Sequence, residues 1–289
     1  MVSRKSMGVM AILGASLMWA IEPILAKLSY RTTDFVSTFE TRIVFCLAVI
    51  AIYIIFTNKA RFGVERKNLP PLIYVSLVAT LFADFIYIYA LTMAPVINAV
   101  LIGHMQPIFI VIFGFLILRV DRLTRYDYLG IFFMIVAGLL VTSRTIDNLR
   151  LLRIGTLSDL YILAATVAWA TTALVARKYL KGLHAGAIAF CRFLFATIIL
   201  TSFLLISSKE IVIANPYQVL IGFVIGIGTI LYYEGLNRIK AAQVSALELS
   251  TPFFATIFGI LVLKEFITMM QGIGITFLFG GIYFLSKKE

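Results

Sequence analysis

Residues 97–118 read INAVLIGHMQPIFIVIFGFLIL, a run in which His104 is the only side chain that can carry a charge. A helix that crosses a bilayer core about 30 Å thick needs about 20 apolar residues. The run is too long for a strand and lacks the period-two alternation of one. Because an open sheet would leave backbone groups unpaired in lipid, the run predicts a membrane-spanning helix.

Long apolar runs of this kind recur along the whole chain. Of its 289 residues, 61% are hydrophobic and 13% are charged, whereas a soluble domain is about 45–50% apolar and about 25% charged. Ten apolar spans are predicted, at residues 7–28, 37–56, 71–92, 97–118, 126–142, 157–176, 187–206, 217–236, 243–263 and 270–286. These proportions exclude a soluble enzyme, a disordered chain and a nucleic-acid-binding domain.

The basic residues are concentrated in alternate loops. With the N-terminus in the cytoplasm, most of the 25 lysines and arginines fall in cytoplasmic segments, as the positive-inside rule requires. Both termini of a multi-pass plasma-membrane protein are therefore predicted to be cytoplasmic. The exception is the loop 144–153, which places three arginines outside. The net charge of +11 thus indicates membrane orientation and no nucleic-acid partner.

The two halves of the chain are related. Trp19 recurs as Trp169 and Arg42 as Arg192, both 150 residues later. Further along, the offset is 145, and it relates Tyr87 to Tyr232, Leu91 to Leu236, Pro107 to Pro252, Phe109 to Phe254, Phe113 to Phe258, Gly114 to Gly259 and Leu118 to Leu263. Each half holds five spans, so the second copy must enter the membrane in the opposite orientation. We therefore predict an all-α polytopic membrane protein of ten transmembrane helices in two inverted five-helix repeats, residues 1–145 and 153–289.

Inverted repeats are typical of transporters, whose binding sites lie near the midplane where the halves meet. The repeated residues also resemble the EamA-like domain of the drug/metabolite transporter superfamily. The first copy carries YALTMAPVINA at 89–99, and the second carries YEGL at 233–236 and AAQVSA at 241–246. This resemblance implies a ten-helix exporter of small metabolites or drugs, with a central cavity shared by both repeats.

Polar side chains inside apolar spans are the candidates for function. A charge at the centre of a membrane helix costs about 2.5–3.5 kcal/mol on insertion scales, so such residues usually face a cavity or a partner. The residues predicted to bind substrate or to couple transport are Trp19, Glu22, Asp84, His104, Gln106, Trp169, Thr172 and Glu248.

The titratable residues within the spans have two kinds of predicted role, namely contact with solute or proton, and an interaction between helices. Glu22 and Glu248 are predicted to contact an amine or to carry a proton, and the alternative for Glu22 is a pair with Lys27 or interfacial water. Asp84 and His104 lie on adjacent spans, where they either share a proton or lock two helices by a hydrogen bond.

Aromatic and small residues complete the predicted site. Trp19 and Trp169 form walls for a cation or a flat ring, or else part of an interfacial belt. Thr172 takes the place of Glu22 in the second copy and is predicted to line the cavity. Five glycines are predicted to permit close helix packing: Gly222, Gly226, Gly228, Gly272 and Gly274.

Arg42 and Arg192 are predicted to lie near opposite membrane faces, because their spans begin at opposite ends. They are possible gates, or bidentate clamps for an anionic group. The favoured interpretation is snorkelling, with Glu40 as the partner of Arg42.

Two further local interactions are expected within the spans. Glu234 is expected to pair with Arg238, four residues later. Because proline cannot donate to the helix ladder, Pro23, Pro107 and Pro252 are predicted to break their helices.

The chain has no P-loop, dinucleotide fingerprint or His-Glu-x-x-His motif. No cofactor, no metal and no enzymatic activity are predicted. The leading hypothesis is a secondary transporter that exports small metabolites, such as amino acids or similar amphipathic solutes, by alternating access. The alternatives are a lipid or lipid-linked sugar translocase and a membrane assembly or sensor component without flux. The expected partners are a small-molecule substrate and the lipid bilayer, and the chain is either a monomer or a homodimer.

Overall fold

The computed structural model describes residues 4–57, 64–118, 124–180, 182–236, 238–239, 244, 247–248 and 250–286. Every regular element in these residues is helical, and none is a strand. The helices are α1 (Arg4–Ser29), α2 (Phe35–Thr57), α3 (Leu69–Val75), α4 (Phe85–Ala90), α5 (Val96–Gly103), α6 (Gln106–Phe113), α7 (Arg125–Ser143), α8 (Ile146–Arg150), α9 (Leu157–Tyr179), α10 (Ala185–Ile206), α11 (Pro216–Leu236), α12 (Ser250–Leu263) and α13 (Met269–Ser286).

Eight helices within the described ranges are long and apolar enough to cross a membrane, and α12 and α13 are shorter apolar helices. The third of the eight is the Arg66–Ala90 helix, in which a π-helix, Ser76–Asp84, connects α3 to α4. The fourth consists of α5 and α6. The prediction of an all-helical membrane protein is therefore confirmed. Most residues of the first turns of the predicted ninth span lie outside the described residues.

The prolines act differently from one another. Helix α1 continues through Pro23, so the predicted break does not occur there. Helix α6 begins at Gln106 with Pro107 in its first turn, directly after an interruption of the fourth span. Pro252 lies in α12, but residue 249 just before that helix is outside the described residues, so the predicted break at Pro252 stays a prediction. Proline is tolerated in a first turn because the amide it lacks has no partner within the helix there.

The two halves pack against each other throughout. Helix α1 lies against α11 and α12, and its counterpart α9 lies against the Arg66–Ala90 helix, α5 and α6. Helix α2 contacts α11, and its counterpart α10 contacts the Arg66–Ala90 helix. Helices α7 and α13, the last of each half, pack together. Neither half therefore forms a separate core.

Aromatic contacts between the halves occur in equivalent pairs. The ring centroid of Trp19 lies 5.1 Å from that of Tyr232, and the centroid of Trp169 lies 5.3 Å from that of Tyr87. The offsets of 150 and 145 convert the first pair into the second, with each tryptophan on one half and its tyrosine on the other.

Two hydroxyl hydrogen bonds follow the same relation. Ser16 donates to the carbonyl oxygen of Leu247 at 3.4 Å, and Thr166 donates to that of Ile102 at 3.4 Å. Ser16 and Thr166 are 150 residues apart, and Leu247 and Ile102 are 145 apart. The two interfaces between the halves therefore have corresponding contacts.

Candidate functional site

Four charged side chains meet at the interface between the halves, and we call Glu22, Arg42, Asp84 and Arg192 the charge network. Nε of Arg42 donates to Oε1 of Glu22 at 2.6 Å. Nη1 of Arg42 and Nη2 of Arg192 both donate to Oδ2 of Asp84, at 3.4 and 2.7 Å. Trp169 donates to the other oxygen of Asp84, at 2.8 Å.

The position of each arginine along its helix explains how the two groups meet. Arg42 and Arg192 are both seven residues after the first residue of their helices, Phe35 and Ala185. At 1.5 Å per residue this places each about 10 Å along its helix from the first residue, and a long side chain extends further. The prediction that they lie near opposite faces is therefore wrong for their guanidinium groups, which contact one carboxylate.

The π-helix holds Arg192 at three points. Ser76 donates to the backbone oxygen of Arg192 at 2.7 Å. Nε of Arg192 donates to the hydroxyl of Thr80 at 2.7 Å, and Asp84 ends the segment. Its i→i+5 hydrogen bonds widen the helical turn, and such segments frequently occur at functional sites. Within this segment, Thr80 and Asp84 both contact the Nε–Nη2 edge of the guanidinium.

Charge balance accounts for the burial of the network. Two carboxylates and two guanidinium groups sum to zero, and Glu22, Arg42 and Asp84 are all buried. Removing charges from water is costly unless each one is paired and hydrogen-bonded. Two partner predictions are corrected, namely Lys27 as the alternative partner of Glu22 and Glu40 as the partner of Arg42: Glu22 and Arg42 pair with each other.

Arg192 differs from the other members because it is accessible. Its side chain is 27% exposed, although its partner Asp84 is 4% exposed. The side chain of Arg42, bound to the same carboxylate, is 5% exposed. The network is therefore partly accessible at Arg192.

The predicted pair of Asp84 and His104 does not form. His104 lies at the interruption between α5 and α6, where its Nδ1 atom is 2.8 Å from the backbone oxygen of Val100. The ring therefore bonds within its own segment, while Asp84 is occupied by two arginines and Trp169. Gln106, at the start of α6, is half-buried.

Glu40 and Glu234 have other partners. Glu40 accepts a hydrogen bond from the hydroxyl of Thr201. Glu234 forms the predicted ion pair with Arg238 and also accepts from Tyr53. The i,i+4 prediction for Glu234 and Arg238 is confirmed.

Glu248 and Thr172 lie outside the charge network. Glu248 is half-buried, and its carboxylate has no hydrogen bond or ion pair with any residue that the structure describes. Thr172 is buried, and its hydroxyl donates to the backbone oxygen of Trp169 at 2.8 Å. Thr172 therefore does not replace Glu22 as a partner of an arginine.

A second polar group, absent from the sequence predictions, joins the halves at one end of the helices. Glu265 accepts hydrogen bonds from the backbone amides of Val96 and Ile97, at 2.7 and 3.0 Å. Asn98 donates to Asp159 at 3.1 Å and accepts from the side chain of Gln271. The Thr-x-x-Asp pattern at 156–159 is a capping signal, but the contact to Asn98 depends on packing between the halves.

An apolar groove of about 590 Å³ lies between the Arg66–Ala90 helix and α9. Its lining residues are Val78, Phe82, Leu160, Leu163, Ala164, Val167, Ala168 and Thr171. None of them is charged, and none belongs to the charge network.

Known proteins resemble this chain over most of its length. The EamA-like transporter family matches residues 6–143 and again residues 156–287. A solved crystal structure aligns with 97% of this chain and 96% of its own, with a TM-score of 0.64 and 18% identity. At that identity the likeness concerns the fold alone.

Two curated relatives are transporters of uncharacterized activity. One, from Methanothermobacter thermautotrophicus, is 25% identical over 231 residues, which are 77% of this chain and 66% of that protein. The other, YyaM of Bacillus subtilis, is 30% identical over 135 residues, which are 46% of this chain and 44% of that protein. The chain thus spans less than two thirds of the length of either relative. Because the family match covers both halves, the chain belongs to the EamA-like transporter family.

Proposed function

We propose that the protein is a secondary transporter that exports small metabolites, such as amino acids or similar amphipathic solutes, across the plasma membrane. The observation that carries the proposal is the partial exposure of Arg192 within the charge network. A charged group that lies within an apolar span at the interface of the halves and is still accessible is a typical feature of a solute pathway. No enzymatic activity and no cofactor form part of the proposal.

Transport would proceed by alternating access between two inverted repeats, residues 1–145 and 153–289, with both termini in the cytoplasm. The matched contacts of Trp19 with Tyr232 and of Trp169 with Tyr87 support this arrangement. Because the two interfaces have corresponding contacts, the halves can exchange conformations with little change in packing.

Each residue of the site has a proposed role. Glu22 and Asp84 couple solute movement to a rearrangement of ion pairs, since each holds an arginine. Glu248 offers a carboxylate that no described group neutralises, which suits an amine. Arg42 and Arg192 are the gates, and the two tryptophans Trp19 and Trp169 are the walls. The remaining polar residues are proposed to line the solute pathway without holding an arginine: His104, Gln106 and Thr172.

The test begins with a thermal-shift screen of metabolites on detergent-solubilised protein. A binder raises stability with the logarithm of its concentration relative to its dissociation constant. Counterflow of that binder is then measured in proteoliposomes for wild type, Glu22→Gln and Glu248→Gln. Glu210→Gln is the matched control, because Glu210 is an exposed acid outside the helices.

Loss of counterflow in both variants, with normal insertion and an active control, is the expected result. Wild-type rates in both would remove the roles of Glu22 and Glu248. Absence of flux for every binder would favour the assembly or sensor alternative. A lipid or lipid-linked sugar translocase requires a lateral opening with basic residues, and the groove beside α9 is lined by none.

A further inference from the structure

We propose that Arg192 binds an oxyanion of the transported solute, such as a carboxylate, at its Nη1 edge. The inference rests on the proposed function and adds the chemical class of the solute. It depends on three properties of this side chain: its unused donors, its exposure and the charge of its surroundings.

The guanidinium of Arg192 has N–H donors that form no hydrogen bond with the described residues. An arginine carries five N–H donors in a planar fork. Here Nε donates to Thr80 and Nη2 donates to Asp84, both at 2.7 Å. Nη1 forms no hydrogen bond with any residue in the described part of the chain. A carboxylate accepts two parallel N–H bonds from such a fork, which makes it the natural ligand for the free edge.

Arg42 lacks these properties. It divides its donors between Glu22 and Asp84, and its side chain is 5% exposed. The side chain of Arg192 is 27% exposed. Of the two arginines that contact Asp84, Arg192 is therefore the one that a solute can reach without breaking an ion pair.

The balance of charge restricts the solute further. The charge network is neutral before a solute enters, so a bare anion leaves one excess negative charge in a poorly hydrated site. A solute that also carries a cationic group leaves the total unchanged. We therefore expect a zwitterion to bind more tightly than a monoanion of similar length, and a monoamine not to bind at Arg192.

Arginine-selective labelling with phenylglyoxal, resolved by site with mass spectrometry, tests this on the purified full-length protein. The probes are butanoate, 4-aminobutanoate and butylamine at constant ionic strength. Arg238 is a matched control within the chain, because its side chain is 23% exposed and it too is paired with a carboxylate. Arg42 serves as the buried reference.

We expect Arg192 and Arg238 to react and Arg42 to remain unlabelled. A probe at ten times its dissociation constant should slow labelling of Arg192 roughly tenfold, with no effect on Arg238. 4-Aminobutanoate should protect at a lower concentration than butanoate, and butylamine should not protect. An unreactive Arg192, equal protection of Arg238, or protection by butylamine would overturn the inference.

The counterflow assay separates this inference from the proposed function. If labelling of Arg192 is insensitive to both carboxylates while counterflow of a screened binder persists, transport stands and the oxyanion site is wrong. If carboxylates protect Arg192 and no solute shows flux, the site stands as a binding site and the transport proposal is wrong.

Discussion

Trp169 donates its indole N–H to Oδ1 of Asp84 across 2.8 Å, and this hydrogen bond joins α9 of the second half to the π-helix of the first. Oδ2 of the same carboxylate accepts from Arg42 and Arg192. One side chain therefore connects four helical segments. The matching position in the second half lies near Thr229, where the sequence has no carboxylate.

Asp84→Asn should destabilise the protein through uncompensated charge. Arg42 and Arg192 would then face Glu22 alone, with one excess positive charge. Removing one partner of a buried ion pair costs about 3–5 kcal/mol. The free energy of unfolding, measured by denaturant titration in micelles, should fall by an amount of that order.

A double variant tests whether charge is the cause. Asp84→Asn combined with Arg192→Gln restores neutrality, so it should recover part of the stability lost by Asp84→Asn. Residues in contact show coupling of about 0.5–3 kcal/mol in double-mutant cycles. Losses that simply add would contradict the explanation from charge balance.

His104→Asn should leave both stability and transport close to wild type. The described bond of His104 is to Val100 in its own segment, and the ring does not contact Asp84. Loss of this one hydrogen bond should lower the free energy of unfolding by no more than about 0.5–1.5 kcal/mol. Counterflow reduced as strongly as in Glu22→Gln would show that His104 carries a proton after all.

The difference between Asp84 and His104 shows what the sequence can reveal. The apolar spans were predictable because hydrophobic length alone determines them, and the repeat offsets correctly related Trp19 to Trp169. The partners of Asp84 were not predictable, since Arg192 lies 108 residues further along the chain. Proximity in sequence favoured His104, whereas packing between the halves brings Arg192 to the carboxylate.

The π-helix was beyond sequence analysis for a different reason. Residues 76–84 are predominantly apolar, so their pattern is equally consistent with an α-helix of the same length. Helices α9 and α10 pack on this segment, and the local sequence does not show those contacts. Nothing in the local sequence marks Thr80 as a partner of Arg192 either.

Glu265→Ala should destabilise the contact between Glu265 and the first turn of α5. Its carboxylate accepts from the amides of Val96 and Ile97, both buried residues that follow Pro95. A buried donor left without a partner costs about 1–3 kcal/mol. Thermal unfolding in micelles should show the loss, and Glu265→Gln, which keeps an acceptor oxygen, should lose less.

Glu65→Ala is the control for Glu265→Ala. Glu65 pairs with Lys67, but both side chains are well exposed. Exposed ion pairs contribute about 0–1 kcal/mol, so little change is expected. Equal losses from the two substitutions would mean that the capping interaction of Glu265 is unimportant.

Gly222→Ala should separate α11 from α2. It should also disturb the charge network, because the new methyl group would press on the backbone of Arg42. A Cβ atom at Gly222 would lie 2.9 Å from the backbone oxygen of Arg42 and also meet Phe45, and backbone cannot move aside as a flexible side chain can. Gly272 was also predicted to permit close packing, but a Cβ atom there meets nothing within 4 Å. Gly272→Ala should therefore be tolerated, and can stabilise α13 by up to about 1 kcal/mol through helix propensity. Unfolding temperature and phenylglyoxal labelling of Arg42 should both change in Gly222→Ala alone; the same response in Gly272→Ala would contradict the close contact of α11 with α2 as the cause.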